Sequence, residues 1–127
     1  MKDSREEINK VIESAIAEEL AAANKNFPYF ASWHEGYAVL LEEVEEAVEA
    51  MELLKEDDME YLWRSIRMKN VDDEIRYANV EGIRNLAVAG ILELIQVAAM
   101  CDKIKYSMET RNCEPCGPCD SVEEAGV

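Results

Sequence analysis

Between Leu86 and Cys101 the chain offers water only two polar side chains, Glu93 and Gln96. A helix that is apolar on every side is normally buried on every side. Such a segment demands neighbours around its whole circumference, and this demand constrains the fold more than any other stretch. Three prolines and five glycines in 127 residues leave little punctuation, which favours long helices over many short strands. The expected class is all-α. A carboxylate inside such a helix is costly unless it is paired, hydrogen-bonded or bound to a metal. Glu93 therefore bears on fold and on chemistry together.

Ser4 and Glu7 have the spacing of a capping box, which predicts a first helix to about Asn24 or Lys25. Ile8, Val11, Ile12, Ala15, Ile16, Leu20 and Ala23 recur in it at helical spacing. Asn26-Phe27-Pro28 breaks it, and Phe27, Tyr29 and Phe30 make the connection aromatic. Ser32 with Glu35 is a second capping box, opening a helix to about Lys55. At 100° per residue Trp33, Tyr37, Leu40, Leu41, Val44, Ala47, Val48, Met51 and Leu54 share one broad face. Glu35, Glu42, Glu46 and Glu49 lie opposite, and Glu43 falls at the border beside Val39 and Ala50. Asp57 and Asp58 suggest caps for a shorter third helix to about Lys69, and a last helix is expected over residues 73–107. The division is a helical domain, 1–108, and a Cys-rich tail, 109–127.

A net charge of −15 argues against a nucleic-acid polymer or an anionic membrane as partner. It does not exclude a nucleotide, since bound divalent cations reverse the local sign. No signal peptide opens the chain, and the 86–101 run is short for a bilayer span and carries Glu93. The expectation is a soluble, cytoplasmic protein. Cys101, in the apolar run, reads as a small core residue.

Glu45, Glu49 and Glu52 read as a solvated face. Glu43 and Glu46 are three apart and project to one side, so they can grip a common ion. A salt bridge from Arg64, Arg67, Arg84 or Lys103 is the plain alternative for Glu93. The sharper reading is a hard divalent cation held by oxygens from two facing helices. Mg²⁺ takes a few carboxylates, keeps waters and completes its shell with substrate phosphates, and helical bundles build such sites from inward carboxylates. This reading requires Glu93 to lie within about 12 Å of Glu43.

Glu42-Glu43-Val44-Glu45-Glu46 fits an E-E-x-x-E motif. With His34-Glu35-Gly36-Tyr37 before it and Glu93-Leu94-Ile95-Gln96-Val97-Ala98-Ala99-Met100 later, the chain resembles the MazG-like all-α nucleoside triphosphate pyrophosphohydrolases, in their phage and prophage branch. The resemblance covers roughly residues 30–105. It implies a four-helix bundle, dimeric or tetrameric, and Mg²⁺-dependent hydrolysis of a nucleoside triphosphate to monophosphate and pyrophosphate, with Mn²⁺ as substitute. Carried over by position, Glu43, Glu46 and Glu93 are metal ligands, and Glu42 is an additional or outlying carboxylate of the catalytic set. The family's second motif is E-x-x-D, whereas this chain has Gln96 at the last position. A Gln carbonyl ligates Mg²⁺ without charge, so affinity should fall. The stretch between the motifs is also longer than usual, and the third helix accounts for the excess.

Lys and Arg near the mouth of such a site neutralise phosphate charge; Arg64, Arg67, Lys69, Arg84 and Lys103 are candidates. His34, the only histidine, sits in a first helical turn, where a structural role is commoner than catalysis. Trp33, Tyr37 and Trp63 suit core packing more than base stacking. Cys113, Cys116 and Cys119 form C-x-x-C-x-x-C, which suggests Zn²⁺. A structural zinc site wants four ligands, and Cys101, His34, Asp120 or a neighbouring subunit's thiol could supply the fourth. Iron–sulfur ligation and an unliganded, reduced tail are the other readings. Three functions compete: the hydrolase, a weak or inactive nucleotide-binding regulator on the same bundle, and a structural helical oligomer with a metal-binding tail.

Overall fold

The structure, a computed structural model, describes residues 2–112, and Cys113, Cys116 and Cys119 lie outside them. Every regular element among the described residues is helical. Helix α1 spans Lys2–Ala23, α2 Trp33–Glu52, α3 Met59–Arg67 and α4 Asp73–Asn112, with a π-helical turn at Leu53–Asp58 between α2 and α3. At both ends of that turn the backbone is right-handed helical: Glu52 has φ −66 and ψ −41, and Asp58 has φ −71 and ψ −39. The Met59 N–H reaches back five residues to the Leu54 carbonyl, the hydrogen bond of a widened turn. Residues 33–67 are thus one continuous rod, and the described residues form three rods.

The expected break before α3 is therefore absent. Asp58 makes no side-chain cap, because a helix that does not stop has no free N–H groups to cap. Ser4 likewise sits inside α1. The second capping box forms. Ser32, in extended conformation (φ −158, ψ 167), accepts the Glu35 N–H at 3.1 Å. The Glu35 carboxylate answers by accepting the Ala31 N–H at 2.6 Å.

Helix α4 is the axle, and the other elements pack on it. The 33–67 rod runs antiparallel to it, with Gly36 against Ile104 at one end, Asp58 near Gly82, and Ser65 bonded to Arg76 at the other. Gly36 is required by this approach, since a Cβ there would come within 2.8 Å of Ile104 Cγ1. Arg76 donates to the Ser65 carbonyl at 2.9 Å and the Met68 carbonyl at 3.4 Å, satisfying the carbonyl end of α3. Helix α1 runs parallel to α4. Ile12 and Ile16 meet Ile91 and Ile95, and the Ala23 carbonyl meets Lys103. The backbones of α1 and α2 stay apart, and their side chains share the core against α4.

The core sits toward the C-terminal half of α4. Phe30, Ala99, Met100 and Met108 are buried, flanked by Ile16, Leu20, Val39, Leu40 and Ile104. The Phe30 N–H donates to the fully buried Ser107 hydroxyl at 2.9 Å, which pins the aromatic connection onto α4.

Two sequence expectations are corrected by this packing. The stripe of α2 turned to α4 runs through Gly36, Val39, Leu40, Glu43, Ala47, Ala50 and Leu54. Tyr37, Leu41, Val44, Val48 and Met51 are exposed instead, although their alternating four- and three-residue spacing is that of a helix–helix seam. The other two rods do not surround α4 either. Val88, Ile91, Leu92 and Leu94 stay exposed. By length and composition alone α4 could cross a membrane, with mean hydropathy 1.5 over its most apolar window and only 17% of that window buried. Cys101 is exposed, not core, because it faces away from both α1 and α2.

Candidate metal centre and its cavity

Glu43 and Glu46 stand three residues apart on α2, and Glu93 faces them from α4 where the antiparallel rods cross. Each offers a carboxylate oxygen within 4.8 Å of the other two, well inside the 12 Å the metal reading allows. Glu43 lies mid-stripe, one turn before the buried Ala47. Glu46 is exposed as a residue, but its carboxylate turns toward the half-buried pair.

The electrostatics of this corner are unfavourable as they stand. Glu43 Oε2 and Glu93 Oε2 are buried and have no hydrogen-bond partner, a situation that costs free energy unless something else satisfies them. Burial first, and then the charges of Glu46, Glu93, Glu42 and Glu19, push the Glu43 carboxyl above the ordinary Glu range. Glu46 is raised as well, by desolvation, by the charges of Glu93 and Glu42, by a hydrogen bond with Glu93 and by Glu49. Ion pairs among the described residues lie elsewhere: Lys10–Glu7, Arg64–Glu60 and Arg76–Asp73. Three converging carboxylate oxygens are a donor set of the kind that can hold a hard divalent cation such as Mg²⁺ or Mn²⁺. The residues present fit the ion.

The remaining candidates separate clearly. Glu42 is exposed and outside the converging three, acting on Glu43 and Glu46 through charge alone. Glu45, Glu49 and Glu52 are exposed and, with Glu42, Glu46, Val44 and Val48, bound an open hollow of about 530 Å³ on the outer side of α2. That hollow is larger than the cavity described next, but it is a solvated acidic groove and shares only Glu46 with the cluster. Arg64 and Arg67 lie over the Tyr61 and Trp63 rings at 5.6 and 5.5 Å on α3, nearer the far end of α4 than the carboxylates. His34 is exposed.

Gln96 sits one turn beyond Glu93 and lines a cavity of about 420 Å³ together with Glu43. Glu19 and Ala23 of α1, the aromatic connection, Glu35 and Val39 of α2, and Met100 and Lys103 of α4 complete the wall. Its volume lies in the range of small-molecule sites. The sequence reading named Lys103 among several basic residues but missed this cavity. Glu93, Gln96, Met100 and Lys103 follow one another at three- or four-residue steps, the signal that places all of them on one face of α4.

The chain matches no family model, no curated protein and no solved structure.

Proposed function

We propose that this protein is a Mg²⁺-dependent nucleoside triphosphate pyrophosphohydrolase, releasing pyrophosphate and a nucleoside monophosphate. The observation that carries the reading is the convergence of Glu43, Glu46 and Glu93 from two helices, with two of their oxygens buried and unsatisfied. The motif resemblance points the same way. Glu43, Glu46 and Glu93 hold the cation, and Gln96 offers a neutral carbonyl beside them. A bound Mg²⁺ or Mn²⁺ supplies charge neutralisation for the phosphates and lowers the pKa of water. The chain's own part is to hold three carboxylates in a fixed, partly dehydrated corner and to leave the adjoining cavity open for the rest of the nucleotide. Glu42 adds negative potential that draws cations in.

A second reading has its own observation. Gln96 lines the cavity with Glu43, and it stands where the resembled family's motif has an acid, so the same bundle could bind nucleotide with little turnover. Incubating the protein with a panel of nucleoside triphosphates and Mg²⁺ or Mn²⁺, and scoring pyrophosphate, decides between the two. Metal-dependent release is expected. Binding of metal–nucleotide without release supports the regulator, and neither binding nor release removes both.

The proposed assembly is a soluble, cytoplasmic homo-oligomer, dimer or tetramer, in which partner helices complete a four-helix bundle. Its support is the exposed seam Tyr37, Leu41, Val44, Val48 and Met51 together with exposed Val88, Ile91, Leu92 and Leu94, more apolar surface than a monomer ordinarily leaves open. Sedimentation at micromolar concentration is expected to show a stable oligomer, and a monomer there refutes it.

A further inference from the structure

The cavity has two ends of different chemistry. Glu93 and Lys103 are ten residues apart on α4, which is about 15 Å along a helix axis. Glu43, the member of the carboxylate cluster that lines the cavity, and Gln96 mark one end. At the other, Lys103 is only 5% exposed, and among the described residues no ion pair joins it to a carboxylate. Its Nζ lies 4.7 Å over the Phe30 ring and donates to the Ala23 carbonyl at 3.5 Å, the outer limit of a hydrogen bond. An ammonium carries three donors, and Lys103, with its one described hydrogen bond, is part of the cavity wall. Burial pushes the Lys103 ammonium below the ordinary Lys range, and the charge of Glu35 partly restores it.

A phosphate is a poor occupant at this end. Glu19, Glu35 and Glu43 line the same cavity and repel a second anion there. A neutral ligand atom with high electron density suits better, and the rings of Phe27, Tyr29 and Phe30 beside it suit a flat heterocycle. A nucleotide anchored through its phosphates at the carboxylates points its base this way. Resting on the nucleotide reading above, we infer that Lys103 is the base-selecting residue: its buried ammonium donates to a ring carbonyl oxygen, so oxo-bases such as hypoxanthine, guanine and uracil are preferred and adenine is disfavoured. Glu35 sits close enough to feel the same charge. One of its oxygens is taken by the Ala31 N–H, leaving the other to accept the ring N–H that adjoins such a carbonyl.

The test compares inosine and purine-riboside 5′-triphosphates, which differ by the 6-oxo group and its neighbouring proton. Their binding to the full chain is measured by calorimetry with Ca²⁺ to suppress turnover, and Mn²⁺ binding is followed separately by electron paramagnetic resonance. Wild type is expected to favour the inosine nucleotide by about tenfold to a hundredfold, the worth of one charge-assisted hydrogen bond. Lys103→Met should abolish the preference while leaving Mn²⁺ binding unchanged. Lys103→Gln, which keeps an N–H donor in case the apolar variant folds poorly, should retain a reduced preference. Equal affinities in wild type overturn the inference, as does an equal loss for both nucleotides in Lys103→Met, which assigns Lys103 to phosphate instead. Absence of Mn²⁺ binding in wild type sinks the metal reading, and base selection falls with it. Mn²⁺ binding without base preference sinks base selection alone.

Discussion

Replacing Glu43 by Gln should make the metal-free protein more stable and the metal-loaded protein no more stable than that. The substitution keeps volume and removes one charge from a group of three carboxylates within 4.8 Å. At that separation two unit charges repel by about 1 kcal/mol in a water-like dielectric and about 3.5 kcal/mol at an effective value of 20. Glu43 is half-buried, so the Glu43–Glu93 repulsion belongs in the lower half of that range, about 1–2 kcal/mol. The new amide also gives the orphaned Glu93 oxygen a donor. Scanning calorimetry at pH 7 in EDTA should show Tm higher than wild type by about 3–6 °C. Excess Mg²⁺ should raise the wild-type Tm, since a ligand that binds only the native state stabilises it, and should leave Glu43→Gln where it was. The pH dependence has a definite sign. Glu43 and Glu46 sit above the ordinary Glu range in the folded state, so the native protein binds protons more tightly than the unfolded chain does. Metal-free stability is therefore fullest below the ordinary Glu pKa and falls as pH rises through the raised values, and in the variant this decline should shrink. A Glu43→Gln protein that melts at or below wild type in EDTA and still gains from Mg²⁺ would refute the reasoning.

Gly36→Ala should lose about 1–2 kcal/mol in urea unfolding, because overpacking against Ile104 outweighs the roughly 1 kcal/mol gained in helix propensity. Ser107→Ala leaves the buried Phe30 N–H without its acceptor and should cost about 1–3 kcal/mol by the same measurement; an unchanged midpoint would mean the connection is not held there. Gln96→Asp should tighten Mg²⁺ about tenfold by titration calorimetry, roughly the effect of one added charge contact, and should lower Tm in EDTA. A Cβ on Gly90 meets nothing within 4 Å, so Gly90→Ala should raise Tm, by up to about 1 kcal/mol of stability; a lower Tm would reveal a partner helix packed on that point.

The helical class was legible from the scarcity of breakers, and the α2 start from Ser32 and Glu35, because both signals act within a few residues. The convergence of Glu43, Glu46 and Glu93 was legible for a different reason: a carboxylate in an apolar run needs a cation or a proton, and the motif resemblance paired Glu93 with Glu43 and Glu46 where a salt bridge to Arg64, Arg67, Arg84 or Lys103 was the alternative. What failed depended on neighbours. Apolar periodicity placed Trp33, Tyr37 and Val44 on the packed face and Glu43 at its border, but α2 carries apolar residues on more than one side. Which side meets α4 is decided by Gly36, whose missing Cβ lets Ile104 approach. Asp57 and Asp58 imitate caps, yet the helix passes through them. Cys101 looked like core because its helix was assumed surrounded, and three rods leave it open. The cavity at Lys103 needed two helices and a connection brought together, which no single window of sequence contains.

The backbone of α1 lies close to α4 but not to α2, and its Glu19 and Ala23 form part of the cavity wall. One wall of the pocket is thus hung from a single neighbour, while the carboxylates are fixed by the other pair of rods. A partial opening of α1 about the Asn24–Ser32 connection breaks the α1–α4 contacts and leaves the α2–α4 crossing intact. Such a sub-global opening would cost less than full unfolding and would leave the α2–α4 carboxylates in place. Amide exchange should find two tiers of protection, with α1 in the faster tier.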